Sequence, residues 1–144
     1  MNIETRIDKD IDSITVVIMT PSMTDEVNDI IIKLKEPNLL KGFKKDRVKF
    51  IEHKEVIRIY SYKQGVYAVC DDGEYKLNKR LYRLEEDLKS YGFIRISHSE
   101  IINIKKVSNF DLSISGTICV KFNNGTSTYV SRRFVSQIKK KIKT

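Results

Sequence analysis

The chain has 144 residues, 40% hydrophobic and 32% charged, with a formal net charge of +8. A soluble globular protein with a core of its own is therefore expected, not a disordered or staple-dependent one. No apolar run approaches the roughly 18 residues of a bilayer crossing, and the acidic start "MNIETRIDKD" is unlike a secretory signal, so a cytoplasmic protein is expected.

Residues 1–36 read as a small ββα module, with short strands at residues 3–7 and 14–19. Pro21, Ser22 and Thr24 with the acids Asp25 and Glu26 then mark a helix start. The helix carries Val27, Ile30, Ile31 and Leu34 on one stripe and is ended by "EPN" at 36–38. Ile32 lies off that stripe, which suggests an exposed patch and a homodimer formed through this module. Asp8, Asp10 and Asp12 have the look of a metal or phosphoacceptor cluster, but a solvated acidic edge is the better reading. Residues 37–45 are polar enough to be a linker.

From residue 46 the apolar period changes to two, and residues 46–144 read as a mainly β domain, α+β overall with the first module included. Strand-like runs "RVKFIE", "EVIRIYSY", "GVYAVC" and "EYKL" come first, with "DDG" at 71–73 as a hairpin turn. One helix interrupts them: it starts at Asn78, carries Leu81, Leu84 and Leu88 on one face, and stops at Gly92. Strands resume at "FIRIS", "EIINI", "FDLSI", "TICVKF" and "STYV", with turns at "SG" (115) and "NNG" (123). A last basic helix opens at Ser131, with Phe134, Ile138 and Ile142 inward.

Charge is unevenly spread. Residues 1–36 hold 4 basic and 8 acidic side chains, net −4, and the remainder holds 23 and 11, net +12. Such a field attracts phosphates, and nucleic acid is favoured over membrane because no segment has the broad apolar face of an interfacial helix. The polar turns "SYKQG", "SHSE", "KKVSN" and "SRRF" supply the Lys, Gln, His, Asn and Arg side chains that hydrogen-bond base edges and phosphates. Two adjacent arginines after a serine are also an ordinary solvated pair beside a helix cap. Tyr60, Tyr62 and Tyr67 read either as a base-stacking platform or, more ordinarily, as half-buried strand packing.

Enzyme signatures are weak. No Walker loop, dinucleotide fingerprint, HExxH or nucleophile elbow occurs, and the SxxK of Ser136 and Lys139 lacks its companion motifs. His53, His98, Cys70 and Cys119 lack metal-ligand spacing, so neither a metal nor a cofactor is expected. The two cysteines read as packed, reduced thiols, and the sequon at Asn124 as a chance match.

The stretch "FIRISHSEIINIKKVSNFDLSISGTICVKFNNGTSTYVSRRFVSQIKKKI" resembles the second half of a LytTR-type DNA-binding domain, and "VIRIYSYKQGVYAVCDDGEYKLNKRLYRLEEDLKSYGF" is similar to its first half. The resemblance covers about residues 46–143. It implies a bacterial transcription regulator built of small antiparallel sheets, whose loops enter the major groove of double-stranded DNA at promoter repeats. By position it implies base contacts at Lys63 or Gln64, at His98, and at Arg133 with Arg132 beside it. Ser99, Asn103, Lys105 and Lys139 then take supporting and phosphate-contacting roles, although Asn103 is equally suited to tying a turn to the backbone. The short N-terminus leaves no room for a receiver domain. The chain thus resembles the small one-domain members, thought to be held in check by a separate, often membrane-embedded inhibitor protein. The competing expectation is a basic module that binds a protein inhibitor or RNA, with DNA contact incidental.

Overall fold

A computed structural model describes residues 1–35 and 39–143. The chain divides into two compact units, Met1–Pro37 and Asn38–Thr144.

In the first unit, helix α1 (Asp25–Lys35) begins where Thr24 Oγ1 accepts the backbone N–H of Val27 at 3.3 Å. That bond satisfies one orphan donor of the first turn, and Asp25 and Glu26 complement the helix dipole there. The strands expected at residues 3–7 and 14–19 are not formed: residues 1–24 hold only turns and bends. A strand needs a partner for its ladder, and two short segments without a third strand are marginal in water. The "EPN" stop at 36–38 lies outside the described residues.

The second unit has three layers. Its central sheet runs β2-β1-β5-β4-β3-β7-β6, from β1 (Leu39–Lys44), β2 (Arg47–Glu52), β3 (Val56–Tyr62), β4 (Gly65–Cys70), β5 (Gly73–Leu77), β6 (Phe93–Ser97) and β7 (Glu100–Asn103). All of its pairings are antiparallel. Helix α2 (Leu81–Leu88) covers one face, burying Leu81, Leu84 and Leu88 against Ile51, Val56, Ile59, Ala68 and Ile101. The other face packs on a second sheet of β8 (Val107–Asp111), β9 (Ile118–Phe122) and β10 (Ser127–Val130) and on helix α3 (Val135–Ile142). Successive β7 residues Ile101 and Ile102 go to opposite faces and enter different cores, as the two-residue period requires.

Three further sequence expectations need correction in this unit. Residues 39–44, expected within a linker, form β1. Gly42 is required there because a Cβ would lie 2.6 Å from Ile51 Cδ1 and 2.8 Å from Tyr75 Cβ. Helix α2 starts at Leu81 rather than Asn78, after an extended Arg80, and a 3₁₀ turn carries it to Gly92, whose left-handed φ of 87° ends it. The "KKVSN" segment is not a loop throughout, since only Ile104–Lys106 is a 3₁₀ turn and β8 begins at Val107, so the strand expected over "FDLSI" lies earlier in the chain and ends at Asp111.

Candidate nucleic-acid interface

The cleft is made by a β-bulge. Strands β6 and β7 pair Arg95 with Ile101 and then Ser97 with Glu100, so Ile96 is the extra residue. Its carbonyl leaves the ladder and accepts the backbone N–H of Ser131 at 3.0 Å. A bulge bends its strand and redirects the residues after it. Here it brings the hairpin tip His98–Ser99 beside the 3₁₀ turn Arg132–Phe134 that joins β10 to α3. Ser97, His98 and Ser99 line one surface cleft with Ser131, Arg132, Arg133, Phe134 and Gln137. None of these is acidic. His98, Arg132 and Arg133 are exposed, while Phe134 is half-buried against the second core.

The serine before the arginines does not act as expected. The Ser131 hydroxyl makes no capping bond. Its carbonyl accepts the N–H of Phe134 at 2.9 Å, so the turn is closed by backbone alone.

The tip is fixed from behind by Arg95. Its Nε donates to the Ser97 carbonyl at 2.7 Å, its Nη2 to the His98 carbonyl, and its Nη1 to Glu85 Oε1 on α2 at 2.9 Å. Glu100 is spoken for as well: it accepts from Arg58 Nη1 at 3.1 Å and from Thr128 Oγ1 on β10 at 2.9 Å, which ties the two sheets together. Its negative charge is therefore paired next to a basic cleft.

Lys63 and Gln64 form the two-residue turn between β3 and β4, both exposed, with Lys63 in the left-handed region at φ 54°. Ser61 N–H donates to the Ser99 carbonyl at 2.8 Å, so this turn lies at the same sheet end as the His98 tip. Lys63 Nζ stands 5.5 Å from the exposed ring of Tyr62. Tyr60 and Tyr67 are no platform. They stack on each other at 5.5 Å, and the Tyr60 hydroxyl donates to Glu74 at 2.7 Å, which pushes its pKa up to about 12.

The remaining sequence candidates separate. Asn103 is 1% exposed. It donates to the Val56 carbonyl at 2.8 Å and accepts from Lys105 N–H at 3.1 Å, so its amide ties a turn to the backbone and does not reach the surface. Lys105 is exposed but follows the far end of β7, near Gly92 and His53, away from the cleft. Lys139 is exposed on α3, the helix whose Gln137 lines the cleft. Arg95, Glu85 and Gln137 escaped sequence reasoning. The one available sign was an arginine between two apolar residues in "FIRIS", a charge in a buried strand that must find partners.

Among the described residues no three His, Cys, Asp or Glu side chains converge as a metal site would require, and no helix is long and apolar enough to cross a membrane. Cys70 and Cys119 are buried free thiols, and burial pushes the Cys70 thiol up to about 11.

Comparison with known proteins agrees with this geometry. A Staphylococcus aureus (strain MRSA252) protein named as an uncharacterized HTH-type transcriptional regulator is 34% identical over 128 residues, 87% of this chain and 86% of its own length. Its counterpart in strain NCTC 8325 / PS 47 is 33% identical over the same span. No helix-turn-helix occurs among the described residues here, since five strands separate α2 from α3. In fold, the chain is similar to the LytTr DNA-binding domain of a Bacillus cereus protein described as a methyl-accepting/DNA response regulator. That likeness has a TM-score of 0.68 at 18% identity and covers 72% of this chain and 94% of the other. The LytTr DNA-binding domain family matches residues 46–143, the span that builds the bulge, the cleft, the small sheet and every strand of the large one except β1, and the chain belongs to that family.

Proposed function

We propose that the protein is a cytoplasmic, sequence-specific transcription regulator that reads duplex DNA by placing the loops at one end of its large sheet in the major groove. The observation that carries this reading is the joining of His98 and Arg133 in one cleft free of acidic side chains. A guanidinium at a strand end can fork onto guanine O6 and N7, and an imidazole can donate or accept at a base edge. Lys63 and Gln64 extend the contact at the same sheet end, with Arg132 and Ser99 beside the readers. Lys139 suits a phosphate, because a lysine on a helix flank supplies charge without a pattern. Asn103 supports the turn from within, and Lys105 is left out of the contact. The test is a gel shift on the promoter upstream of the protein's own gene, challenged with excess random duplex. Binding that random duplex competes away equally would refute sequence reading.

We also read the protein as a homodimer through residues 1–36. Nine large apolar side chains between Met1 and Met23 are exposed, among them Ile3 at 85%, Ile7 at 91% and Ile14 at 96%. At roughly 60–120 Å² each, as side-chain transfer free energies imply, they approach the about 800 Å² per partner of a standard interface. One copy supplies two strand-like segments, too few for a stable sheet; two copies supply four.

A further inference from the structure

We propose that Arg95 is a positioning residue for base reading: clamped by Glu85, it fixes the two peptide groups from which His98 projects. The inference rests on the DNA-reading function above.

The tip needs such a clamp. The β6–β7 ladder holds residues up to the Arg95 and Ile101 pair and resumes only at Ser97 and Glu100, with the bulge between. Inside the tip the bonds are weak: Ser99 N–H donates to Ser97 Oγ at 3.2 Å, and the two hydroxyls are 3.5 Å apart. The Ser99 carbonyl is held by Ser61, and the carbonyls of Ser97 and His98 both accept from Arg95. Those two carbonyls orient the peptide planes on either side of the His98 Cα. Fixing them fixes the direction of its Cα–Cβ bond, and an imidazole at a base edge tolerates little misplacement.

Arginine is needed for this. Three guanidinium nitrogens reach three acceptors, two carbonyls and the Glu85 carboxylate. A lysine ammonium is a point donor on a flexible stem and cannot hold that fork, although it keeps the charge. The Arg95 side chain is 14% exposed, so it lies beneath the tip and does not itself meet DNA. Its stem shares the face of Phe93, toward α2, and through Glu85 the helix braces the reading loop.

The experiment compares wild type, Arg95→Lys, Glu85→Ala and Glu85→Gln on the cognate site, on a set of single base-pair substitutions and on random duplex, with melting followed in parallel. Arg95→Lys is expected to stay folded and bind random duplex as wild type does. It should lose about tenfold or more on the cognate site. The loss should fall on the base pair whose discrimination His98→Ala also removes, and leave the pair assigned by Arg133→Ala intact. Glu85→Ala should show a smaller loss of the same pattern, and Glu85→Gln, which keeps an acceptor, should recover wild-type discrimination. If Arg95→Lys proves unfolded, the Glu85 pair decides by the same pattern. Folded variants with wild-type discrimination at every position, or with equal losses at every position and on random duplex, would overturn the proposal. A wild type that itself fails to discriminate would sink the DNA-reading function, and this inference with it.

Discussion

The backbone N–H of Ser131 meets the carbonyl of Ile96 at 3.0 Å, and this single bond joins the end of the small sheet to the bulge of the large one. It is made by backbone, while the serine hydroxyl makes no cap bond. Ser131→Ala should therefore cost less than about 0.5 kcal/mol, below the roughly 1 kcal/mol of a lost side-chain cap. Ser131→Pro suits the native φ of −69° but removes the N–H. It should cost about 1–3 kcal/mol by leaving a carbonyl on the buried Ile96 unpaired. Urea midpoints of the two variants check the difference, and equal midpoints would refute the role given to this bond.

Variants at Arg133 and Lys139 test base reading apart from charge attraction. Arg133→Ala should cost about 1–3 kcal/mol on the cognate site and relax discrimination at one base pair. Lys139→Ala should weaken cognate and random duplexes by similar factors and lower the log-log salt slope by about one unit. Because Arg133 adjoins Phe134, which packs on the second core, its variant must first be shown to melt like wild type. A folded Arg133→Ala that kept full discrimination would return the two arginines to an ordinary solvated pair.

Leu81, Leu84 and Leu88 declared their helix by spacing in the sequence, and all three are buried. Gly73 and Gly125 marked turns, and both adopt positive φ. Strand β1 was hidden because "LLKGFK" breaks its alternation with Gly42, and the demand for glycine comes from Tyr75, more than thirty residues away. Ile57 and Ile59 sit two apart yet enter different cores, because a bulge falls between Val56 and Arg58. A bulge is a property of two paired strands, so neither strand announces it alone. The cleft shares that origin. The loops carrying His98 and Arg133 could be named from their residue types, but their meeting depends on the bulge at Ile96, and Arg95 gains its meaning only from the carbonyls that the bulge turns toward it.

Lys63 holds a left-handed conformation at φ 54° in a two-residue hairpin, a region that costs an L-residue about 1–2 kcal/mol. Lys63→Gly removes that strain and should stabilise the fold by up to about 1 kcal/mol, after the loss from glycine's greater unfolded freedom. If Lys63 also contacts DNA, the same variant should bind the cognate site more weakly. Thermal melting and a gel shift on one preparation should thus move in opposite directions. Weaker binding without a gain in melting temperature would disprove the strain argument.

His53 stacks on Tyr91 at 4.4 Å, and its Nδ1 is buried with no hydrogen-bond partner among the described residues. Burial, together with the neighbouring Lys105 and Lys54, pushes its pKa below the usual 6.5, with Glu52 opposing. The unfolded chain therefore takes up this proton more readily than the folded one. The stability linked to His53 is complete above the unfolded value and is lost as pH falls through the folded one. Urea midpoints should drop between about pH 7 and pH 5. His53→Phe, which keeps a ring against Tyr91, should flatten part of that drop. Identical pH slopes for the two proteins would rule this group out.

The dimer and the DNA complex should respond to salt with opposite signs, which separates apolar association from charge. Residues 1–36 carry 4 basic and 8 acidic side chains, so two such units, each net −4, repel when they meet. Added salt screens that repulsion and leaves apolar burial intact. Light scattering should therefore show a dimer at tens of micromolar that persists or tightens as salt rises, while DNA affinity falls at about −0.9 per neutralised phosphate on a log-log plot. Ile14 and Val17 are 96% and 77% exposed, so replacing both with serine leaves the core of the second unit untouched. The double variant should be monomeric, with binding to a single half-site unchanged and binding to a repeated site weakened by the lost linkage of two readers. A wild type that stayed monomeric at every salt concentration would show that the exposed side chains of this segment serve some end other than self-association.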